Sequence, residues 1–128
     1  MKHKGGCLCG SVQYELEGEL RPSISCHCTQ CRKTSGHFWS ATQVPNERFH
    51  LIKEEGLKWF RSSDWAQRGF CQNCGSSLFW QMDGERATSV ASGTLEDDSD
   101  LVPGRHICMG TKGNYYEIND GLPQEEKW

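Results

Sequence analysis

The sequence is short of most features that would mark a membrane, secreted or nucleic-acid-binding protein. No apolar run in its 128 residues approaches the roughly 20 needed to span a bilayer. The opening stretch MKHKGGCLCG is charged and lacks an apolar core, so no secretory leader is expected. Positive charge is not in excess: Lys and Arg total 14 against 17 Asp and Glu, a formal net charge of −3. That balance argues against a general nucleic-acid or anionic-membrane surface. Internal repeats and low-complexity linkers are missing too, which leaves a single domain over residues 1–128 as the expectation. Helical periodicity is scarce. A chain of this size with so little regular helix needs covalent or metal staples to hold long loops.

Cysteine is abundant. Eight cysteines stand at positions 7, 9, 26, 28, 31, 71, 74 and 108. With no leader in view the chain is expected to be cytoplasmic, where thiols stay reduced and clustered cysteines favour metal over disulfides. The close pairs Cys7/Cys9 and Cys71/Cys74 are spaced for chelation, whereas structural disulfides join distant segments.

Strand-like segments dominate what remains. In SVQYELEG, Val12, Tyr14 and Leu16 alternate with Gln13, Glu15 and Glu17, the period-two pattern of a half-buried strand. HFWSATQV stops at Pro45, RFHLI follows, and GLKWFRS begins at Gly56. SSLFWQM runs to the turn signal Asp83-Gly84, after which RATSVAS pairs as a hairpin. YYEI is a last short strand candidate. TQCRKT offers one or two helical turns and LEDDSDL an acidic turn. The tail PQEEKW is polar and expected to fray, with Trp128 able to dock back. These patterns predict a mainly β fold whose loops are pinned by metal.

Zinc takes four ligands in a tetrahedron with Zn–S near 2.3 Å, so its sulfurs lie roughly 3.8 Å apart. Cysteines at i and i+2 on an extended segment share a face and can close that gap. CxxC reaches the same spacing through a tight turn. Gly10 after Cys9 and Gly75 after Cys74 accept positive φ, which lets such turns aim backbone N–H groups at thiolates. Two pairs make one complete site, so Cys7, Cys9, Cys71 and Cys74 are assigned to a closed structural zinc. Binding free energies of about 10–16 kcal/mol for such sites become folding free energy.

The stretch CHCTQC supplies three further ligands, Cys26, Cys28 and Cys31. Three protein ligands and an open position are the common arrangement of catalytic zinc. The alternative is a second closed site completed by Cys108, His27 or His106. His27 lies between two ligands and would point to the opposite face of an extended segment, so it is discounted as a ligand. Three thiolates leave Zn²⁺ with net charge −1, a poor generator of hydroxide but a good soft site for a fourth thiolate. Arg32 and Lys33 follow directly and are placed either to receive carboxylates or to sit solvated on the surface.

The order CxC, CxCxxC, CxxC, with GGCLCGSVQYE, CHCTQCRKTSG, RGFCQNCGSSLF, SGTLED and HI…DGLP, resembles the glutathione-dependent formaldehyde-activating enzyme/centromere protein V family over nearly the whole chain. The resemblance implies coiled antiparallel sheets, a fold shared with zinc-bound methionine-sulfoxide reductases and a Rab-exchange chaperone. It also implies two zincs per chain, divided as above, and carbon–sulfur lyase chemistry joining formaldehyde and glutathione to S-(hydroxymethyl)glutathione or reversing that step. His106 and Asp120-Gly121-Leu122-Pro123 match its C-terminal signature. The chain departs from the family at Cys108, where members commonly carry Trp. The thiol there is either inert and buried or a ligand near the second zinc.

Three functions follow for comparison. The first is an enzyme binding a small thiol such as glutathione at the open zinc position, where a coordinated thiol loses its proton and adds to a small aldehyde. His27, His106 and Ser35 are proton-donor candidates by type alone, and no catalytic residue is assigned beyond the metal-mediated role of Cys26, Cys28 and Cys31. The second is an interaction module with both metals structural, its contacts drawn from Trp39, Trp59, Trp65 and Trp80. Of these, Trp65 sits in a polar context and is expected to be exposed or to line a cleft. The third, nucleic-acid binding, fares worst: seven thiolates and two Zn²⁺ take the charge from −3 to about −6. The oligomeric state is not legible.

Overall fold

A computed structural model describes residues 1–96 and 99–128. Among these residues ten strands form two sheets. The smaller has the order β1 (Lys2–Gly6), β2 (Gln13–Glu17), β5 (Phe49–Lys53), paired antiparallel throughout. The larger has seven strands: β10 (Pro103–Ile107), β3 (Ser23–Cys26), β4 (Trp39–Pro45), β9 (Ala87–Ala91), β8 (Ser77–Met82), β7 (Ala66–Cys71) and β6 (Leu57–Arg61). Its pairs are antiparallel except β10 with β3, which run parallel. The fold is mainly β, as the alternating patterns predict.

Burial explains the strands that pattern reveals. Val12, Tyr14 and Leu16 are sealed from solvent and pack with Val44, Leu78, Phe79 and Val90 between the sheets. Full burial of side chains this large contributes about 1.5–3 kcal/mol each. The Tyr14 and Phe79 rings meet edge-on at 5.4 Å between centroids, a favoured aromatic geometry. The hairpin around Asp83-Gly84 is present, with Phe79 opposite Val90 and Trp80 opposite Ser89.

One α-helix, α1 (Thr29–Ser35), stands where TQCRKT was read as helical. It starts at Cys28, whose sulfur accepts the Cys31 N–H at 3.3 Å, and stops at Gly36 in the left-handed conformation.

Two expectations are corrected. YYEI forms no strand: Tyr115–Ile118 is irregular, and Tyr116 turns inward to meet His27. The tail does not fray. It runs alongside β10, with His106 N–H bonded to Pro123 C=O at 2.9 Å and Glu125 N–H to His106 C=O at 2.9 Å. Cys108 N–H likewise reaches Lys127 C=O at 3.2 Å. Trp128 docks against Trp65 and Trp80. The predicted acidic turn at 95–101 includes Asp97 and Asp98, which lie outside the described residues.

Candidate metal centres and the cleft at the second

The first cysteine group joins the two sheets. Cys7 follows β1 in the small sheet, while Cys71 ends β7 in the large one. Cys7, Cys9, Cys71 and Cys74 hold their sulfurs all within 4.8 Å of one another. Cys7–Cys9 and Cys9–Cys71 are each 3.7 Å, the edge length of a tetrahedral zinc–sulfur site. The Cys7-Leu8-Cys9 segment is a turn rather than a strand, so the sulfurs converge by chain reversal and not by sharing a strand face. Gly10 and Gly75 take φ of +83° and +82°, the conformations their positions after each pair require. Polar donors surround the thiols. Val12 N–H approaches Cys7 Sγ at 3.2 Å, and Ser11 Oγ lies 3.2 Å from Cys71 Sγ and 3.1 Å from Cys9 Sγ. Hydrogen bonds from Ser76, side chain first, hold Cys74 down to about 5, and those from Ser11 lower Cys71. Donors that favour the thiolate prepare the group for a cation.

The second group is Cys26 at the end of β3, Cys28 at the N-cap of α1 and Cys31 in its first turn. Their sulfurs also lie within 4.8 Å of one another. Thiol hydrogen bonds from Cys26 and Cys31 pull Cys28 down to about 2, while the same bond to Cys28, with burial, pushes Cys26 up. Among the described residues, no further Cys, His or carboxylate atom completes this trio within the same radius. Cys108 lies beside Cys26 with its thiol pushed up by burial, in the left-handed region at φ 57°.

Both donor sets fit a soft divalent cation in number, chemistry and spacing. Two cysteine clusters in this chain can therefore hold metal ions.

Cys7 of the first group borders a cavity of ≈ 330 Å³, while all three cysteines of the second group line a separate cleft of ≈ 390 Å³. Its walls carry Trp39, Trp65, Trp80 and Trp128, and three guanidinium groups, Arg21, Arg68 and Arg105, face one carboxylate, Glu85. That is a local cationic surplus in an acidic chain. Arg68 is buried: its Nη2 lies 3.3 Å from Cys31 Sγ, its Nε donates to Gln30 Oε1 at 2.7 Å, and its guanidinium sits 5.2 Å from the Trp39 ring centroid. Three buried donors in this wall, Arg21 Nε, Trp39 Nε1 and Arg68 Nη1, have no partner among the described residues. Unsatisfied buried donors are costly. Arg32 and Lys33, read as carboxylate receivers or as solvated surface, do not line the cleft. The structure brings Arg21, Arg68 and Arg105 to the cleft instead, from β3's approach, β7 and β10. Trp65 is half-exposed and lines the cleft as expected.

His27 does face away from the sulfurs. Its ring is fully buried and hydrogen-bonds Tyr116 Oη at 2.5 Å and His106 Nδ1 at 2.8 Å, and His106 Nε2 meets Asp120 Oδ2 at 2.7 Å. Burial first, then the neighbouring His106, lowers His27 to about 4, so it is neutral near pH 7. Neither histidine lines the cleft, and Ser35 Oγ is occupied by the Cys31 and Phe38 carbonyls. The three proton-donor candidates are thus spent on structure. Nothing in the local sequence announces the His27–His106–Asp120 contact; the HI…DGLP signature was its only trace.

A family model for the glutathione-dependent formaldehyde-activating enzyme matches residues 2–111. The chain belongs to that family. Among curated relatives, an uncharacterized lyase of Schizosaccharomyces pombe is 27% identical over 121 residues, covering 91% of this chain and 85% of the relative. A Halomonas elongata protein provisionally named a glutathione-dependent formaldehyde-activating enzyme is 28% identical over 126 residues, covering 90% and 80%. A crystal structure of a Rhodobacter sphaeroides protein superposes with a TM-score of 0.64 at 25% identity, covering 78% of this chain and 97% of that one. The formaldehyde-activating family match spans both cysteine groups and stops before Tyr116, Asp120 and Trp128.

Proposed function

We propose that this chain is a two-zinc carbon–sulfur lyase that joins the thiol of glutathione, or a close analogue, to formaldehyde or another small aldehyde, and runs the step in reverse. Cys7, Cys9, Cys71 and Cys74 hold a structural zinc; Cys26, Cys28 and Cys31 hold the working one. The observation that carries this reading is that the whole three-sulfur group lines a cleft rich in indole and guanidinium, whereas the four-sulfur group gives only Cys7 to a separate cavity. Family membership and the lyase names of the relatives support the same reaction class.

Zinc bound by three thiolates supplies a soft cation that keeps a fourth, incoming sulfur deprotonated near neutral pH. The chain's own residues do the rest. Arg68, beside Cys31 Sγ, offsets the negative charge of the sulfur cluster. The guanidinium groups of Arg21, Arg68 and Arg105 in the cleft wall suit the carboxylates of glutathione and the oxygen on which charge develops. The four indoles give the cleft an apolar wall beside the sulfurs. In the forward direction the sulfur–carbon bond forms while the carbonyl π pair moves onto oxygen, which takes its proton from solvent in the half-open cleft. Reversal breaks the same bond and restores the carbonyl.

The test is S-(hydroxymethyl)glutathione formation by zinc-loaded protein, measured against the uncatalysed addition. A rate above that background supports the assignment, and equality with it refutes the assignment. Arg68→Met is expected to raise KM for glutathione about tenfold, since hydrogen bonds to charged groups are worth about 1.5–3 kcal/mol, with less effect on a thiol that lacks carboxylates.

A further inference from the structure

We infer that the C-terminal segment positions the Cys26–Cys28 pair through His27, and that Asp120 sets how tightly the second cysteine group holds its metal. Every polar atom of His27 is taken by chain beyond residue 105. Its N–H donates to Ile107 C=O at 3.0 Å, and its C=O accepts from Thr111 Oγ1 at 3.4 Å. Its ring nitrogens meet Tyr116 Oη and His106 Nδ1. A residue flanked on both sides by ligands is thus held at four points, by elements that themselves contribute no sulfur to the group.

The carboxylate at the end gives this chain of bonds a direction. Asp120 accepts only, so His106 donates from Nε2, and a neutral ring held in that tautomer presents a bare Nδ1. That nitrogen accepts the Nε2 proton of His27, whose bare Nδ1 then accepts the Tyr116 hydroxyl proton. Asp120 is itself aimed, because its Oδ1 accepts Leu122 N–H at 3.0 Å and leaves Oδ2 for His106. With the ring fixed on one side of the backbone, the flanking peptides cannot rotate, and Cys26 and Cys28 are kept pointing to the other side. Partners of this outer kind, which never touch the metal, tune affinity through orientation. The three groups are therefore positioning residues. They do not line the cleft, and Asp120 lies at the surface, where water replaces its oxygen without collapse of the fold.

The inference rests on reading Cys26, Cys28 and Cys31 as a metal site, and its first readout fails or holds independently of that reading. Long-range ¹⁵N–¹H correlation in the intact protein should find both His27 and His106 protonated on Nε2. A proton on Nδ1 of either ring overturns the scheme. The second readout is chelator competition on the zinc-loaded protein, with Co²⁺ substitution as the optical probe and Cys28→Ser supplying the first-site reference. Asp120→Ala should weaken the second metal about tenfold and leave the first unchanged. Asp120→Asn keeps one of the two acceptor oxygens and should weaken the second metal less than Asp120→Ala. Unaltered second-site affinity in Asp120→Ala, or equal weakening of both sites, overturns the inference.

Discussion

The two cysteine groups share chemistry and differ in what stands around them. The four-sulfur group lies where two sheets meet. Serine hydroxyls and turn N–H groups surround it, and Cys9 is exposed. The three-sulfur group lies between a cleft rich in indole and guanidinium and a buried pair of histidines. Spacing alone distinguishes them poorly, since CxC and CxxC occur in both. What separates them is their surroundings: one group has its ligands complete and links distant parts of the chain, the other is incomplete and faces space.

The largest expected break in this comparison is between Cys71→Ser and Cys28→Ser. The first should abolish cooperative unfolding, because structural zinc of about 10–16 kcal/mol exceeds the net stability typical of a small domain. The second should keep the fold and lose one metal equivalent. Circular-dichroism melts and metal analysis decide it, and similar losses in both variants would erase the division of labour.

A smaller effect is expected at Gly56. A Cβ there would meet Ser11 Oγ at 2.2 Å and Cys71 Sγ at 2.8 Å. Gly56→Ala should cost about 1–3 kcal/mol, the usual price of overpacking, and should loosen only the first metal. Denaturant unfolding and chelator competition give the two numbers.

The smallest effect belongs to a control remote from both groups. Arg61 forms two hydrogen bonds to Asp83, at 2.9 and 2.7 Å, and the bond from Arg61 holds the Asp83 carboxyl below its usual range. A carboxyl depressed in the folded state binds its proton more readily when unfolded, so its stabilisation is present at neutral pH. It is lost as pH falls through the folded-state value. Both groups are exposed, so Asp83→Asn should lower the melting temperature only slightly at pH 7, and the gap should close in acid. Metal content should not change.

Much of this was legible in the sequence because it depended on local rules. Val12, Tyr14 and Leu16 announced β2 by alternation, and glycines after Cys9 and Cys74 announced their turns. What escaped notice depended on distant partners. β7 is buried on both faces around Arg68, Gly69 and Cys71, so AQRGFC shows no period of two. β3 is four residues of SISC, and β10 opens with Pro-Gly; both become strands by pairing with each other across some eighty residues. The guanidinium groups of the cleft were hidden for the same reason. Arg32 and Lys33 adjoin Cys31 in sequence, while Arg68 reaches it through the sheet.

The C-terminal tail has a consequence of another kind. A terminal strand of a large sheet normally offers a row of unpaired amides and carbonyls to any passing chain. Here residues 123–127 occupy that row along β10, so the same short segment that braces the histidines also denies neighbouring molecules a template for sheet extension.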